Sequence, residues 1–323
     1  MTTTARYLIR HDTRYRYDQA VGESRQLVRL HPRELPHQHC LEYRLDVAPL
    51  PQRSEAFVDG FGNALSSLHF EREHDELFVR AESLVELSAP HTPALDTSPA
   101  WETVRDTLAY RAGRKLDPAM LEACGFLFES AHVRVKRDFA LYAAADFADD
   151  TPLLVATDRL MRRIHREFTY DSEATDVSTP VTEVFDKRRG VCQDFAHLML
   201  SCLRSLGLAA RYVSGYILTH PQAGKARLVG ADATHAWVAV FCPDAGWVDF
   251  DPTNAQIPTI EHVTLGWGRD FNDVSPLRGV ILGAGGHELE IAVTMAPEAE
   301  CAVLYPDQIK PIKRDLQHAP PCV

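Results

Sequence analysis

One stretch constrains the fold more than any other: Gly190-Val191-Cys192-Gln193-Asp194-Phe195-Ala196-His197. From Cys192 onward, apolar residues recur at Phe195, Leu198, Met199, Leu203 and Leu206, which is helical spacing, and Gly207 supplies a C-terminal stop. Gly190 lets the chain turn sharply into this helix. Cys192 then sits in the first turn, with an apolar stripe buried behind it. Unsatisfied backbone N–H groups and the positive end of the helix dipole surround a sulfur so placed, and both favour thiolate over thiol. The pattern is that of a nucleophile held on a rigid support.

Composition bounds the rest. The chain has 323 residues, enough for two domains, with 45% hydrophobic and 24% charged residues, as expected of a globular protein with a real core. A net charge of −11 argues against nucleic acid or an anionic membrane as the main partner. No window approaches the ~18 apolar residues of a membrane span, and the arginine-bearing start has no apolar run of the secretory kind behind it. The seven cysteines, at 40, 124, 192, 202, 242, 301 and 322, form no C-x-x-C pair. Neither a zinc ribbon nor a disulfide framework is suggested, and a reducing cytoplasm fits best. A free cysteine is most often a small buried hydrophobe, and Cys202 on the same helix reads that way. Cys192 differs through its neighbours.

Residues 1–90 read as an all-β domain, an antiparallel sandwich-like arrangement. Strand-like runs cover Tyr7 to Tyr17, Ser24 to Leu30, Cys40 to Val47, Leu65 to Phe70 and Leu77 to Leu87, with a turn at Asp59-Gly60-Phe61-Gly62-Asn63. His31, His37, His39, His69 and His74 in this region are read as surface or satisfied histidines, not ligands. A proline-bearing connector over 91–100 is the best boundary. Helices follow over Trp101 to Arg111, from Asp117-Pro118, from Thr151-Pro152, and from Ser178-Thr179-Pro180, before the Cys192 helix. Beyond Gly207 the pattern turns to strands: Ala210 to Leu218, Thr234 to Phe241, Gly246 to Asp251, and a last one over Glu288 to Met295. Helices preceding antiparallel strands make 101–305 an α+β domain. Residues 306–323 read as a loosely packed tail.

A thiolate needs a basic partner, and that partner an orienter. His235 begins its strand on the face shared with Trp237, Ala239 and Phe241. A turn over Cys242-Pro243-Asp244-Ala245-Gly246 puts Phe241 opposite Trp247, and counting outward places Asp249 opposite Ala239 and Asp251 opposite Trp237. Asp251 is then a diagonal neighbour of His235, within the roughly 7–8 Å that side chains bridge. Asp249 is four residues along, about 13 Å at strand rise. The spacing therefore selects Asp251 over Asp249, and Cys192, His235 and Asp251 have the residue types of a Cys-His-Asp arrangement. Asp232 reads as a loop residue and His197 as a packing residue. Asp194 competes with the dipole, but i and i+2 point to different helix faces. The backbone N–H of Cys192 or Gln193 is the expected oxyanion donor, with Tyr170 or the Gln193 side chain as an auxiliary.

Arg188 through His197, then Ala210-Arg211-Tyr212-Val213-Ser214-Gly215-Tyr216, then Asp232 through Val238 and Trp247 through Asn254 resemble, in order, the bacterial transglutaminase-like superfamily. The β-rich start resembles the domain often attached to such proteins. This resemblance implies a papain-like/transglutaminase-like core with Cys192 as nucleophile, His235 as base and Asp251 as orienter. It also implies that Gly266 to Asp270 and Asp273 to Pro276 shape a groove. The expected activity is acyl transfer on an amide or peptide substrate through a thioester, with hydrolysis ahead of transfer to an amine. A non-catalytic peptide-binding or assembly module is the reading of a different class. No cofactor and no metal ion is expected.

Overall fold

The computed structural model describes residues 4–220, 230, 232–283 and 285–300. Its strands are β1 (Thr4–Val21), β2 (Glu23–Val28), β3 (Gln38–Ala48), β4 (Arg53–Val58), β5 (Ala64–Phe70) and β6 (His74–Ser88) in the first third. A helical third follows: α1 (Trp101–Leu108), α2 (Pro118–Cys124), α3 (Arg137–Ala144), α4 (Leu153–Glu167), β7 (Thr169–Tyr170), α5 (Val181–Lys187), β8 (Arg189–Gly190) and α6 (Cys192–Ser205). The last third holds β9 (Ala210–Ile217), β10 (Thr234–Cys242), β11 (Gly246–Phe250), β12 (His262–Gly268), α7 (Phe271–Val274), β13 (Leu277–Leu282) and β14 (His287–Pro297). The fold is α+β with antiparallel sheets, as the sequence pattern implies.

Local chemistry explains most of these elements. In the first half of β1 the buried residues are Tyr7, Ile9, His11 and Thr13, the period of two that a half-buried strand requires. Pro118 opens α2 and the Asp117 side chain caps it, accepting from the Met120 N–H at 2.8 Å. In α4 the buried set Leu153, Leu154, Thr157, Leu160, Met161 and Ile164 recurs at three and four residues and faces one core. The Asp59 carboxylate accepts from the Phe61 and Asn63 N–H groups, at 2.8 and 2.9 Å, and so fixes the expected turn between β4 and β5.

Three four-stranded sheets result, in the orders β14-β1-β6-β3, β13-β2-β5-β4 and β11-β10-β9-β12. The first two face each other across a core of Ile9, Val79 and Val85 against Val28, Leu68 and Phe70, a sandwich. The helices pack on the third sheet, with α6 against β10 and β9.

The domain limits differ from the expectation that placed 101–305 in one α+β unit. The run over Glu288 to Met295 is a strand, but it pairs with β1 (Ile9 opposite Met295, Thr13 opposite Ile291), and β13 pairs with β2. Both therefore belong to the first domain's sheets. The physical reason is that alternation identifies a strand without naming its partner, and the 18-residue β1 has two long edges to satisfy. The expected tail over 306–323 lies outside the described residues. The polar β4, α3 and β12 were not anticipated.

The two domains share a core. Tyr216, Leu218, Val263 and Leu265 from the third sheet join the sandwich cluster. At the edge of β12, the Gln38 side chain imitates a neighbouring strand: Nε2 donates to the Thr264 carbonyl at 2.8 Å and Oε1 accepts from its N–H at 2.7 Å. Asn63 does the same at Trp267, at 2.8 and 3.0 Å. No helix among the described residues is long and apolar enough to cross a membrane.

Candidate active site

The α6 helix is more deeply set than a one-sided stripe requires: every residue from Asp194 to Arg204 is buried. Its far end is tied down by Arg204, which donates to the carbonyls of Ala210 (2.8 Å), Phe128 (3.0 Å) and Arg269 (2.6 Å). At its near end, β7 and β8 pair in parallel, Tyr170 beside Gly190, and the Asp171 N–H donates to the Gly190 carbonyl at 3.0 Å. These bonds fix where Cys192 begins its turn.

Asp194 resolves differently from the expected competition with the dipole. Its carboxylate turns back to accept from the Val191 N–H at 2.8 Å and from the Thr175 hydroxyl at 2.6 Å. It is an N-terminal cap of the helix, held away from the sulfur. Burial pushes its carboxyl up against these two bonds. The same carboxylate explains Gly190. A Cβ there would lie 2.6 Å from the Asp194 oxygen, so the glycine is needed for close approach and not only for a turn.

Cys192 is half-buried, with Sγ 4.0 Å from the Thr234 carbonyl oxygen, at the residue that precedes His235. The register of the next hairpin is the expected one, with Phe241 opposite Trp247 and Asp249 opposite Ala239. The ladder ends at Phe250, so Asp251 lies just past it and bridges to Gln256. His235 Nε2 donates to Asp251 Oδ2 at 2.8 Å. That leaves Nδ1 for a second partner, and the Cys192 side chain is near enough to act on the charge of the ring. Burial opposes a charge on His235, but the bonds to Asp251 and Cys192 and their charges outweigh it and push the ring up to about 10.

Asp251 is fully buried and densely served. Burial works against its charge, yet His235, His262 and Asn254 hold its carboxyl well below the usual carboxylate range. The Asn254 side chain donates at 2.7 Å, the Thr253 N–H at 2.9 Å, and His262 Nε2 lies 3.4 Å away. The structure thus brings Cys192, His235 and Asp251 together. From sequence, Asn254 reads only as a residue that caps or bends the chain past Asp251, and His262 has no role. Asn254 was visible in the run Asp251-Pro252-Thr253-Asn254, where a side chain three residues on can fold back to the carboxylate. His262 had no local signal, because it arrives from β12 across the sheet. The ring nitrogens of His235 and His262 and a carboxylate oxygen of Asp251 lie within 4.8 Å of one another, a spacing a metal ion can use. Their hydrogen bonds satisfy one another without it.

The remaining sequence candidates separate. Tyr170 is exposed beside the cleft, near enough for Cys192 to reinforce the upward shift that burial gives its hydroxyl. His197 is buried, stacked on His132 at 5.0 Å, and its Nε2 accepts from the Phe271 N–H at 3.2 Å, which is a packing role. Asp232 pins β14 through its carboxylate, which accepts from the Met295 N–H at 2.9 Å. Asp249 sits beside Trp237 and Arg211, away from His235.

A cysteine at a buried helix N-terminus, facing a strand-borne histidine and its carboxylate on an antiparallel sheet, defines a papain-like or transglutaminase-like class of fold. Comparison with known proteins agrees. Residues 7–86 match the bacterial transglutaminase-like N-terminal region, and residues 142–252 match the transglutaminase-like superfamily core. An uncharacterized protein of Mycobacterium tuberculosis is 38% identical over 305 residues, covering 92% of this chain and 94% of that one. A protein-glutamine gamma-glutamyltransferase of Pseudomonas aeruginosa is 37% identical over 103 residues, 31% of this chain and 15% of that one. A crystal structure of a candidate cysteine protease from Cytophaga hutchinsonii shares the fold, with a TM-score of 0.69, 21% identity and 92% of each chain covered. The chain belongs to the transglutaminase-like superfamily.

Proposed function

We propose that this protein is a cysteine-dependent enzyme acting on amide or peptide bonds, with Cys192 as nucleophile, His235 as acid–base and Asp251 as orienter. The observation that carries the reading is the meeting of the His235–Asp251 pair, bonded at 2.8 Å, with Cys192 at the first turn of α6, whose Sγ lies 4.0 Å from the carbonyl oxygen of the adjoining Thr234. Sulfur attacks the amide carbonyl, and the carbonyl electron pair moves onto oxygen beside the free N–H groups of the helix start. When that pair returns, the C–N bond breaks and His235 gives its proton to the departing amine. A thioester remains. Water, deprotonated by His235, then attacks it and releases acid and thiol. Amide hydrolysis is the favoured outcome, and among the described residues Cys40, Cys124, Cys192, Cys202 and Cys242 are free, which fits a reducing, cytoplasmic setting.

Resolution of the same thioester by a primary amine is the second reading, supported by the similarity to a protein-glutamine gamma-glutamyltransferase. One experiment separates them. A peptide library is incubated with and without an excess of a tagged alkylamine, and products are read by mass spectrometry. New carboxyl ends support hydrolysis; tagged glutamine side chains support transfer. If Cys192→Ala retains either activity the proposal fails, and if wild-type protein shows neither it fails in favour of a binding module.

A further inference from the structure

The face of the third sheet turned away from α6 closes over a cavity of about 460 Å³. Trp237, Trp247, Trp267 and Arg211 form its walls, and the first domain contributes His37 and the 88–92 segment. Neither Cys192 nor His235 lines it. The volume is that of a small-molecule site.

Arg211 is the unusual member. It is only 6% exposed, and its guanidinium lies between two indole rings, 4.3 Å from the centre of Trp247 and 3.6 Å from that of Trp267. Both flat faces are covered, so only the N–H edges remain to meet a partner. Its Nε is buried without one, and no hydrogen bond or ion pair within 4.0 Å joins the group to any described residue. The buried indole N–H of Trp267 is likewise unpaired. Arg33 covers the other face of Trp267 at 3.4 Å and adds a second positive charge behind the wall. Asp249 lines the same cavity and its charge reaches Arg211, but burial pushes its carboxyl up and no ion pair closes. Burial lowers Arg211 to about 9 and Arg33 to about 10, so the surrounding carboxylates do not offset the cost of hiding these charges. A buried guanidinium with open N–H edges calls for an oxyanion, and Trp237, Val213 and Ile257 in the rest of the lining call for an apolar body.

We propose that this cavity is a second binding site, for a small organic carboxylate whose oxygens take the N–H edge of Arg211 and whose apolar body lies against Trp237, Val213 and Ile257. It is separate from the Cys192 cleft. Two of its walls, Trp237 and His262, also touch the other site: Trp237 lies 6.0 Å from the His235 ring, and His262 reaches Asp251. An occupant therefore rests against the back of that arrangement.

The test uses the full chain and benzoate as probe, read by tryptophan fluorescence and calorimetry. Three of the four tryptophans line the cavity, so saturable quenching is expected. Binding should survive carboxamidomethylation of Cys192, which separates this site from the substrate cleft and makes the outcome independent of any catalytic activity. Arg211→Met should weaken benzoate at least about tenfold, through loss of a charge-assisted bidentate contact. Ala245→Phe fills the cavity from an exposed turn position and should weaken it without disturbing the core, so a result remains if the arginine variant does not fold. No saturable binding by the wild type up to about 10 mM would overturn the proposal. So would unchanged affinity in a folded variant, inorganic phosphate binding as tightly as benzoate, or loss of binding on alkylation of Cys192.

Discussion

Replacing Asp251 by asparagine keeps the shape of the side chain and removes the charge that holds His235 protonated. The ring stands at about 10 against an ordinary 6.5, a rise of about 3.5 pH units that burial opposes. At 1.36 kcal/mol per unit this is on the order of 5 kcal/mol, shared between Asp251 and Cys192. If Asp251 supplies half, the alkaline limb of kcat/KM should fall by roughly 2 pH units, from near pH 10 to near pH 8. The assay is kcat/KM on a cleaved peptide from about pH 5 to about pH 10.5, with circular dichroism confirming the fold at each point. Stability should follow the same logic. The raised His235 contributes stability that is complete below 6.5 and lost as pH rises through about 10. The depressed Asp251 contributes stability present above its ordinary 3.8 and lost as pH falls. The variant should therefore melt lower than wild type across the neutral range. A pH–rate profile that superimposes on the wild-type one would refute the claim that Asp251 sets the charge of His235.

Three further outcomes are expected. Limiting iodoacetamide should modify Cys192 before Cys202 and Cys242, which are buried, and Cys192→Ala should abolish turnover with little change in Tm; peptide mapping and calorimetry read these. His11 is buried and lowered to about 4 by desolvation, so the unfolded chain takes up its proton first and stability falls as pH drops below 6.5; at pH 5 this group alone costs about 2 kcal/mol, measurable by urea unfolding. Gly215→Ala would set a Cβ 2.0 Å from the Val263 carbonyl oxygen and 2.6 Å from the Trp237 ring, with a loss of at least about 3 kcal/mol of stability, visible as a lowered urea midpoint.

The parts of the site legible in sequence are those fixed by local periodicity. Helical spacing after Cys192 located its first turn. The alternation of β10 and β11, counted from one turn, put Asp251 beside His235 and excluded Asp249. What escaped is whatever depends on strands distant in sequence. His262 reaches Asp251 only because β12 is laid against β9, and Asn63 and Gln38 show their purpose only once β12 is there to be hydrogen-bonded. The partner of β14 was lost for the same reason. The role of Asp194 was hidden by rotamer choice, since nothing in the spacing says that its carboxylate turns back to the Val191 N–H.

These long-range contacts also say what the first domain is for. A module appended for docking would have its own closed core and touch the helical half through a polar, separable interface. Here the sandwich core runs on into Tyr216, Leu218, Val263 and Leu265, in or beside β9 and β12 of the sheet that carries His235. The chain also returns after β12 to add β13 and β14 to the first domain's sheets, so that domain cannot be completed without the sequence that follows the site. On the His262 side, β12 is the outer strand of its sheet, and its exposed N–H and C=O groups at Thr264 and Trp267 are satisfied by Gln38 and Asn63 instead of another strand. Without those side chains β12 would be free to shift along β9. His262 would move with it, and Asp251 would lose one of its buried partners. The first domain is thus hydrogen-bonded to the strand that carries His262, the residue behind the Asp251 carboxylate.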